Sequence, residues 1–284
     1  MTASIRSSGL TRPLASVRDP ADGARPPARQ TSRRPFRYRL AIGPVVLLAL
    51  WSLASATGSL DPKVLSAPWT VVATARDLIA SGRLGEDLRM SGQRAILGFV
   101  LGLTAGTLLA LVSGLTRTGE ALIDGTVQVK RAIPTVALIP MLILWFGIGE
   151  PMKVVTIGLT VFFPVYLHTH AALRTIDVRY VELARTVRLS RWQFIRRVAL
   201  PGSLPGFLLG VRLAVTSAWL ALIVVEQVNA TSGIGYMIFL ARSYGQTEII
   251  VVGLVIYGLL GLASDALVRV VETRLLSWRR VIDA

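Results

Sequence analysis

Asp177-Val-Arg-Tyr-Val-Glu182-Leu-Ala184-Arg-Thr-Val-Arg188-Leu-Ser190-Arg-Trp-Gln193-Phe-Ile-Arg-Arg-Val198-Ala-Leu200-Pro201-Gly-Ser-Leu-Pro205 is an arginine-rich island between two long apolar runs. Residues 174–203 hold seven arginines and two acids. Asp177 is placed to cap a first helix. Ser190 and Gln193 form an S-x-x-Q capping box for a second, which carries Trp192, Ile195 and Val198 on one side. Pro201 has no amide proton and is expected to end that second helix. A helix, a turn and a helix therefore interrupt an otherwise apolar chain, and a structured basic loop of this kind has the character of a contact element.

Outward from the island the sequence is a membrane sequence. The 284 residues are 52% hydrophobic, with a mean hydropathy of +0.59. Six apolar runs, 40–57, 94–115, 132–148, 154–174, 204–226 and 249–268, are read as crossings. The third is short and contains Pro134 and Pro140, so it is expected to kink or to pack inside the bundle. The fold class is all-α: an integral membrane protein of six transmembrane helices with a cytoplasmic helix-turn-helix loop at about 177–203.

The placement of charge sets the topology. Of a net charge of +15, residues 1–39 hold nine arginines against two aspartates, and residues 269–284 hold four arginines against two acids. Loop 116–131 adds three basic residues and two acids, whereas 58–95, 147–153 and 227–248 are nearly neutral. The positive-inside rule then puts both termini and the island in the cytoplasm of a multi-pass cell-membrane protein. The charge is explained by topology, and no nucleic-acid partner is called for.

Residues 1–38, rich in Arg, Pro, Ser and Ala, are expected to be a disordered basic cytoplasmic tail, and 39–284 the transmembrane domain. Ser32-Arg33-Arg34-Pro35-Phe36 resembles a twin-arginine export signal, and Ala54-Ser55-Ala56 a signal-peptidase site. Five more apolar runs follow, so an uncleaved signal-anchor is the expected reading. Ser66 is expected to cap a helix opening at Pro68, with Trp69, Val72, Leu78 and Ile79 as the apolar side of an amphipathic helix on the outer face. A second helix starts near Leu84 and enters the second run. There Gly98, Gly102 and Gly106 form a smooth strip for close helix approach.

Several chemistries are excluded. The chain has no cysteine, hence no disulfide or thiol catalysis. His168 and His170 point to different faces of a helix, which disfavours a shared metal site. No catalytic constellation and no cofactor site is visible. Lys63, Lys130 and Lys153 are the only lysines and none follows a glycine, so there is no phosphate-binding loop. The chain is not an enzyme, and any ATP hydrolysis belongs to another subunit. Arg212, Glu226 and Asp265 fall near the ends of runs, where interfacial or structural roles are expected ahead of substrate contact; of the three, an anion path could use Arg212.

Residues 182–201 resemble the signature loop of binding-protein-dependent ABC importer permeases: Glu-Ala-Ala, three residues, Gly, nine residues, Ile, one residue, Leu-Pro. Glu182, Ala184, Leu200 and Pro201 match, and Val198 stands at the isoleucine position. Leu183 replaces an alanine and Arg188 the glycine. Ser91-x-x-Arg94 with Gly98, Arg131-Ala-Ile-Pro134 through Ile139-Pro140, Leu144-Trp-Phe-Gly147-Ile-Gly149, and Glu226 with Ser232-Gly233-Ile-Gly235-Tyr236 resemble the nitrate/sulfonate/taurine branch. Similarity covers roughly 60–280, with a family-like core at about 85–280.

The resemblance implies a permease working as a pair, usually two identical copies. Two ATP-binding subunits dock inside, an extracytoplasmic substrate-binding protein docks outside, and a small solute such as a sulfonate, taurine or nitrate-like anion moves inward. It implies that the loop couples to the ATP-binding subunit through Glu182, Ala184, Arg188, Leu200 and Pro201. Glu182 is read near the start of the first loop helix, and Ala184 as small enough for a close contact. Arginine in place of glycine at 188 costs about 1 kcal/mol if the turn is left-handed, unless the Ser190 box lets the turn form in another conformation. Three other readings compete. One is a basic loop anchored to anionic lipid. Another is a secondary transporter or channel uncoupled from any ATPase, which calls for buried charges or inverted repeats. The last is a membrane scaffold with no transport role.

Overall fold

The computed structural model describes residues 39–277; the tail expected over 1–38 lies outside the described residues. Among these residues there is no strand. The chain divides into Met1–Leu47, where only the start of the first helix is described, and Leu48–Ala284.

The helices are α1 (Arg39–Ala56), α2 (Pro68–Ala80), α3 (Arg83–Leu115), α4 (Arg117–Gly119), α5 (Gly125–Arg131), α6 (Ile139–Phe146), α7 (Glu150–Arg174), α8 (Val178–Thr186), α9 (Arg191–Phe194), α10 (Leu200–Asn229), α11 (Ile234–Ser243) and α12 (Thr247–Leu275). A wide π turn, Glu120–Asp124, joins α4 to α5, and another, Ile195–Ala199, joins α9 to α10. A tight turn, Thr135–Leu138, leads into α6.

Four helical courses are long and apolar enough to cross a membrane: α3, α7, Arg191–Val228 and α12. A fifth exists if Arg117–Arg131 and Thr135–Phe146, bent by 92°, count as one span. The first of the six expected runs appears as the shorter apolar stretch Ile42–Ala56. The third lies in the bent pair, and its prolines explain the bend. Pro134 adopts an extended ψ of 131°, and it has no amide to continue the ladder. Pro140 sits in the first turn of α6, where a missing amide is harmless.

Helix α7 is the axis of the bundle. Met152, Ile157, Val161, Val165 and Tyr166 on it are fully buried. On one side the strip of α3 lies against it: a Cβ on Gly98 would come within 2.6 Å of Ile157, and one on Gly106 within 2.9 Å of the Phe162 carbonyl. On another side α10 uses Gly206 and Gly210 in the same way, the latter against the Pro164 carbonyl. Ala95, Ile139, Leu142, Ala214, Ala218 and Leu222 complete this core. With no hydrophobic drive between helices in lipid, such close approach and its dispersion contacts hold the bundle together.

Three local expectations change. Helix α2 buries Val71 and Leu78, while Trp69, Val72 and Ile79 are exposed. Ser66 does not cap it: Ala67 is at the cap with no side-chain bond. Ser66 is instead buried, 2.6 Å from the Thr247 hydroxyl and donating to Glu248 Oε2 at 3.2 Å, so it ties the segment before α2 to the start of α12. Pro201 does not end the second loop helix. The Leu200 amide reaches back five residues to the Ile195 carbonyl, and this widened turn carries the chain past Pro201 into α10 without a break.

Candidate functional site

The loop between α7 and α10 is built from its own caps. Asp177 accepts from the Arg179 amide at 2.9 Å. The Ser190 hydroxyl accepts from the Gln193 amide at 3.2 Å, and the Gln193 side chain accepts from the Ser190 amide at 2.9 Å, giving both halves of the capping box.

Between them stands Arg188 at φ 52°, the one non-glycine residue with positive φ among the described residues. The Leu189 amide donates to the Ala184 carbonyl (2.9 Å) and the Arg188 amide to the Arg185 carbonyl (3.0 Å). This is the Schellman pattern, in which the left-handed residue is usually glycine. The turn keeps its left-handed form, and arginine bears the strain. Arg188→Gly is therefore expected to be tolerated and to stabilise the loop by up to about 1 kcal/mol. Slower hydrogen exchange at the Leu189 amide with unchanged transport is the readout; faster exchange would contradict the strain account.

The five residues assigned to the loop's contact role differ in setting. Glu182 lies in the middle of α8, not in its first turn. It is exposed and makes no ion pair among the described residues. Ala184 is buried by the chain itself at 7% exposure, so a large residue there would disturb the loop's own packing first. Arg188, Leu200 and Pro201 are exposed. Tyr180, Leu183, Val187 and Trp192 add exposed apolar surface. Pro201 and Tyr180 line one groove of about 700 Å³ together with Arg197 and Gly202. Arg191 donates to the Leu115 carbonyl at 3.1 Å, at the C-terminus of α3, and so fastens the loop to the bundle.

At the opposite end of the bundle is a buried charge network that sequence reasoning left at the surface. Glu226 on α10 is fully buried. Its carboxylate accepts from Arg94 Nη1 (2.7 Å), the Gly235 amide (2.8 Å) and the Tyr257 hydroxyl (3.1 Å), with the Ser91 hydroxyl at 2.7 and 2.9 Å from its two oxygens. Arg94, 2% exposed, also forks onto Glu150 with two bonds of 2.7 Å and donates to the Ser232 carbonyl. Lys153 joins Glu150 at 2.8 Å. Asp87 accepts from the Gly233 amide at 2.8 Å. Gly233 has φ 112°, and a Cβ there would meet the Glu226 carboxylate and lie 2.7 Å from Arg94 Nη1. Glycine is required on both counts.

Buried ions stay buried only when paired and hydrogen-bonded. This network meets that condition and joins α3, α7, α10, α11 and α12. The spacing Ser91-x-x-Arg94, one helix face opposite Glu226 and a Gly-x-Gly turn, was its signal in the sequence. Glu150, Lys153 and Asp87 gave none. Arg212 donates to Asp265 at 2.8 Å, and so does Arg269. That trio pins α10 to α12, in keeping with a structural role.

The chain is thus a bundle of long apolar helices with buried ion pairs at one end and a capped basic loop at the other. It belongs to the family described as binding-protein-dependent transport system inner membrane component, whose profile matches residues 98–277. It is a membrane-spanning permease subunit of an ATP-driven ABC transporter.

The chain is 43% identical over 235 residues to SsuC of Escherichia coli (strain K12), covering 83% of this chain and 89% of that one. It is 39% identical over 236 residues to SsuC of Bacillus subtilis (strain 168), covering 83% and 86%. Both are described as aliphatic sulfonates transport permease proteins. The taurine transport system permease protein TauC of E. coli K12 is 27% identical over 245 residues, covering 84% and 89%. Among solved structures, an inward-facing MetNI methionine ABC transporter superposes with a TM-score of 0.49 at 22% identity, over 72% of this chain and 96% of that one.

Proposed function

We propose that this chain is the permease of an importer for aliphatic sulfonates, receiving its solute from an extracytoplasmic binding protein. The observation that carries the substrate class is the 43% and 39% identity, over most of both chains, to two permeases described for aliphatic sulfonates. The permease works with a second copy of itself, crosses the membrane six times and keeps both termini in the cytoplasm, as the arginine distribution favours. ATP is hydrolysed on separate ATP-binding subunits. These dock on the loop at 177–203, where exposed Glu182 and the apolar surface of Tyr180, Leu183 and Val187 support a contact role. The loop's helices are capped and it is fastened to α3, which suits it to pass a rigid-body motion into the bundle.

The test is ligand binding by the partner binding protein, with uptake measured alongside. Alkanesulfonates are expected to bind and to be taken up in competition with one another. A binding protein that takes only cationic or neutral metabolites would remove the sulfonate assignment and leave the permease assignment standing.

A further inference from the structure

We propose that Lys130, at the bend between α5 and the Thr135–Leu138 turn, is the mid-membrane contact for the sulfonate head group, and that the apolar groove beside it takes the aliphatic tail. This rests on the substrate class proposed above and assigns it a place in the bundle.

The depth of Lys130 is fixed by contacts along α7. Glu120 pairs with Arg174 at the end of α7 at 2.9 Å. One turn further on, Asp124 accepts from the Tyr166 hydroxyl at 3.3 Å. Lys130 Nζ then lies 4.0 Å over the ring of Phe163. Phe163 stands near the middle of the 25-residue α7, so roughly 15–20 Å from either end at the rise of an α-helix. The segment climbs from the end of α7 to its middle and there breaks by 92°. Broken helices at mid-depth are where membrane transporters place solute sites, because freed polar groups and side chains converge there.

Lys130 differs from the other inward cations. Arg94 and Lys153 are held by Glu150, and Arg212 by Asp265. Among the described residues no carboxylate lies within 4.0 Å of Lys130. Its partners are the Phe163 ring and the Thr135 hydroxyl, which accepts from Nζ at 2.9 Å. Two ammonium hydrogens remain, and the Thr135 hydroxyl hydrogen has no acceptor among the described residues. Donor capacity is thus left over at this bend, on two groups 2.9 Å apart.

An ionisable side chain in hydrocarbon without a counter-charge is costly and is a functional candidate by default. The missing counter-charge is what an anionic solute brings. Next to the amine is an open groove of about 330 Å³ walled by Leu109, Leu122, Leu159 and Phe162, within the size of small-molecule sites. A cation with hydroxyl support at one end of an apolar groove matches an alkyl anion. A lipid chain would fill the groove without needing the amine.

The test is uptake of radiolabelled ethanesulfonate and hexanesulfonate by cells making this chain with its ATP-binding subunit and binding protein. Lys130→Gln should reach the membrane normally and lower uptake of both by at least about tenfold, the loss expected for a charge-assisted hydrogen bond. Lys130→Arg should retain most of it. Leu122→Trp fills the groove from an exposed position and should depress hexanesulfonate uptake more than ethanesulfonate uptake. Wild-type uptake by Lys130→Gln would overturn the site. So would an equal effect of Leu122→Trp on both chain lengths, which also decides the case if Lys130→Gln fails to accumulate. If the unaltered chain takes up neither sulfonate, the substrate class falls and this site with it. If the unaltered chain transports both and the variants do too, the site alone falls.

Discussion

Arg94→Ala is expected to destabilise the folded chain by about 3–5 kcal/mol, the usual cost of removing one partner of a buried ion pair. Glu226 has no exposure to water, and without Arg94 its charge would rest on Ser91, Tyr257 and one backbone amide alone. Glu150 and the Ser232 carbonyl would lose their donor at the same time. Loss of the folded protein from the membrane, or a steep drop in its thermal midpoint in detergent, is the expected observation. Arg94→Met combined with Glu226→Gln removes both charges together and should recover part of the loss, because no unpaired ion is left behind. If Arg94→Ala matches the unaltered chain in midpoint and abundance, the network is not what holds α10, α11 and α12 against α3 and α7.

The second large effect is expected in the loop at 177–203. Leu183→Asp places a charge in the exposed apolar patch of α8, and Glu182→Ala removes an exposed carboxylate that has no ion-pair partner among the described residues. Neither side chain is buried, so the bundle should fold and accumulate as before. Docking of the ATP-binding subunit should weaken, by about 1.5–3 kcal/mol for the lost charge-assisted contact of Glu182. Co-purification and solute-stimulated ATP hydrolysis should fall together. Normal recruitment by both variants would show that the proposed docking face lies elsewhere. Ala184 is less suitable for this test, because its side chain is enclosed by the loop itself.

The sequence made some of this legible and hid the rest for physical reasons. Helices α3 and α7 could be read from apolar length, and the strip of Gly98, Gly102 and Gly106 from its four-residue spacing, because both are local patterns. The caps at Asp177 and Ser190 are equally local. The continuation through Pro201 was not legible: whether a proline ends a helix or is absorbed by a π turn depends on neighbours that sequence does not show. The bend at Pro134 was visible as a pair of prolines, but its 92° angle was not.

Glu226 was placed near an interface because hydropathy reports depth and not burial. Its charged partner Arg94 and the Ser91 hydroxyl lie on α3 and Tyr257 on α12, far away in sequence, and only the Gly235 amide is near. Lys130 reads in the sequence as one of the basic residues of loop 116–131 that mark the cytoplasmic side, and carries no motif; only the ladder along α7 brings it to mid-depth beside Phe163. On α2, Leu78 reads with Trp69, Val72 and Ile79, but packing against α11 and α12 buries it with Val71 and leaves the other three exposed; hydropathy alone does not separate Val71 from Val72.

The most direct test of the proposed mechanism is solute accumulation in liposomes holding this chain, with and without the ATP-binding subunit, and with the loaded binding protein outside and ATP within. The expected result is accumulation that requires all three proteins and ATP, with none from this chain alone under any ion gradient. Accumulation by the chain alone, driven by an imposed ion gradient and indifferent to ATP, would contradict it.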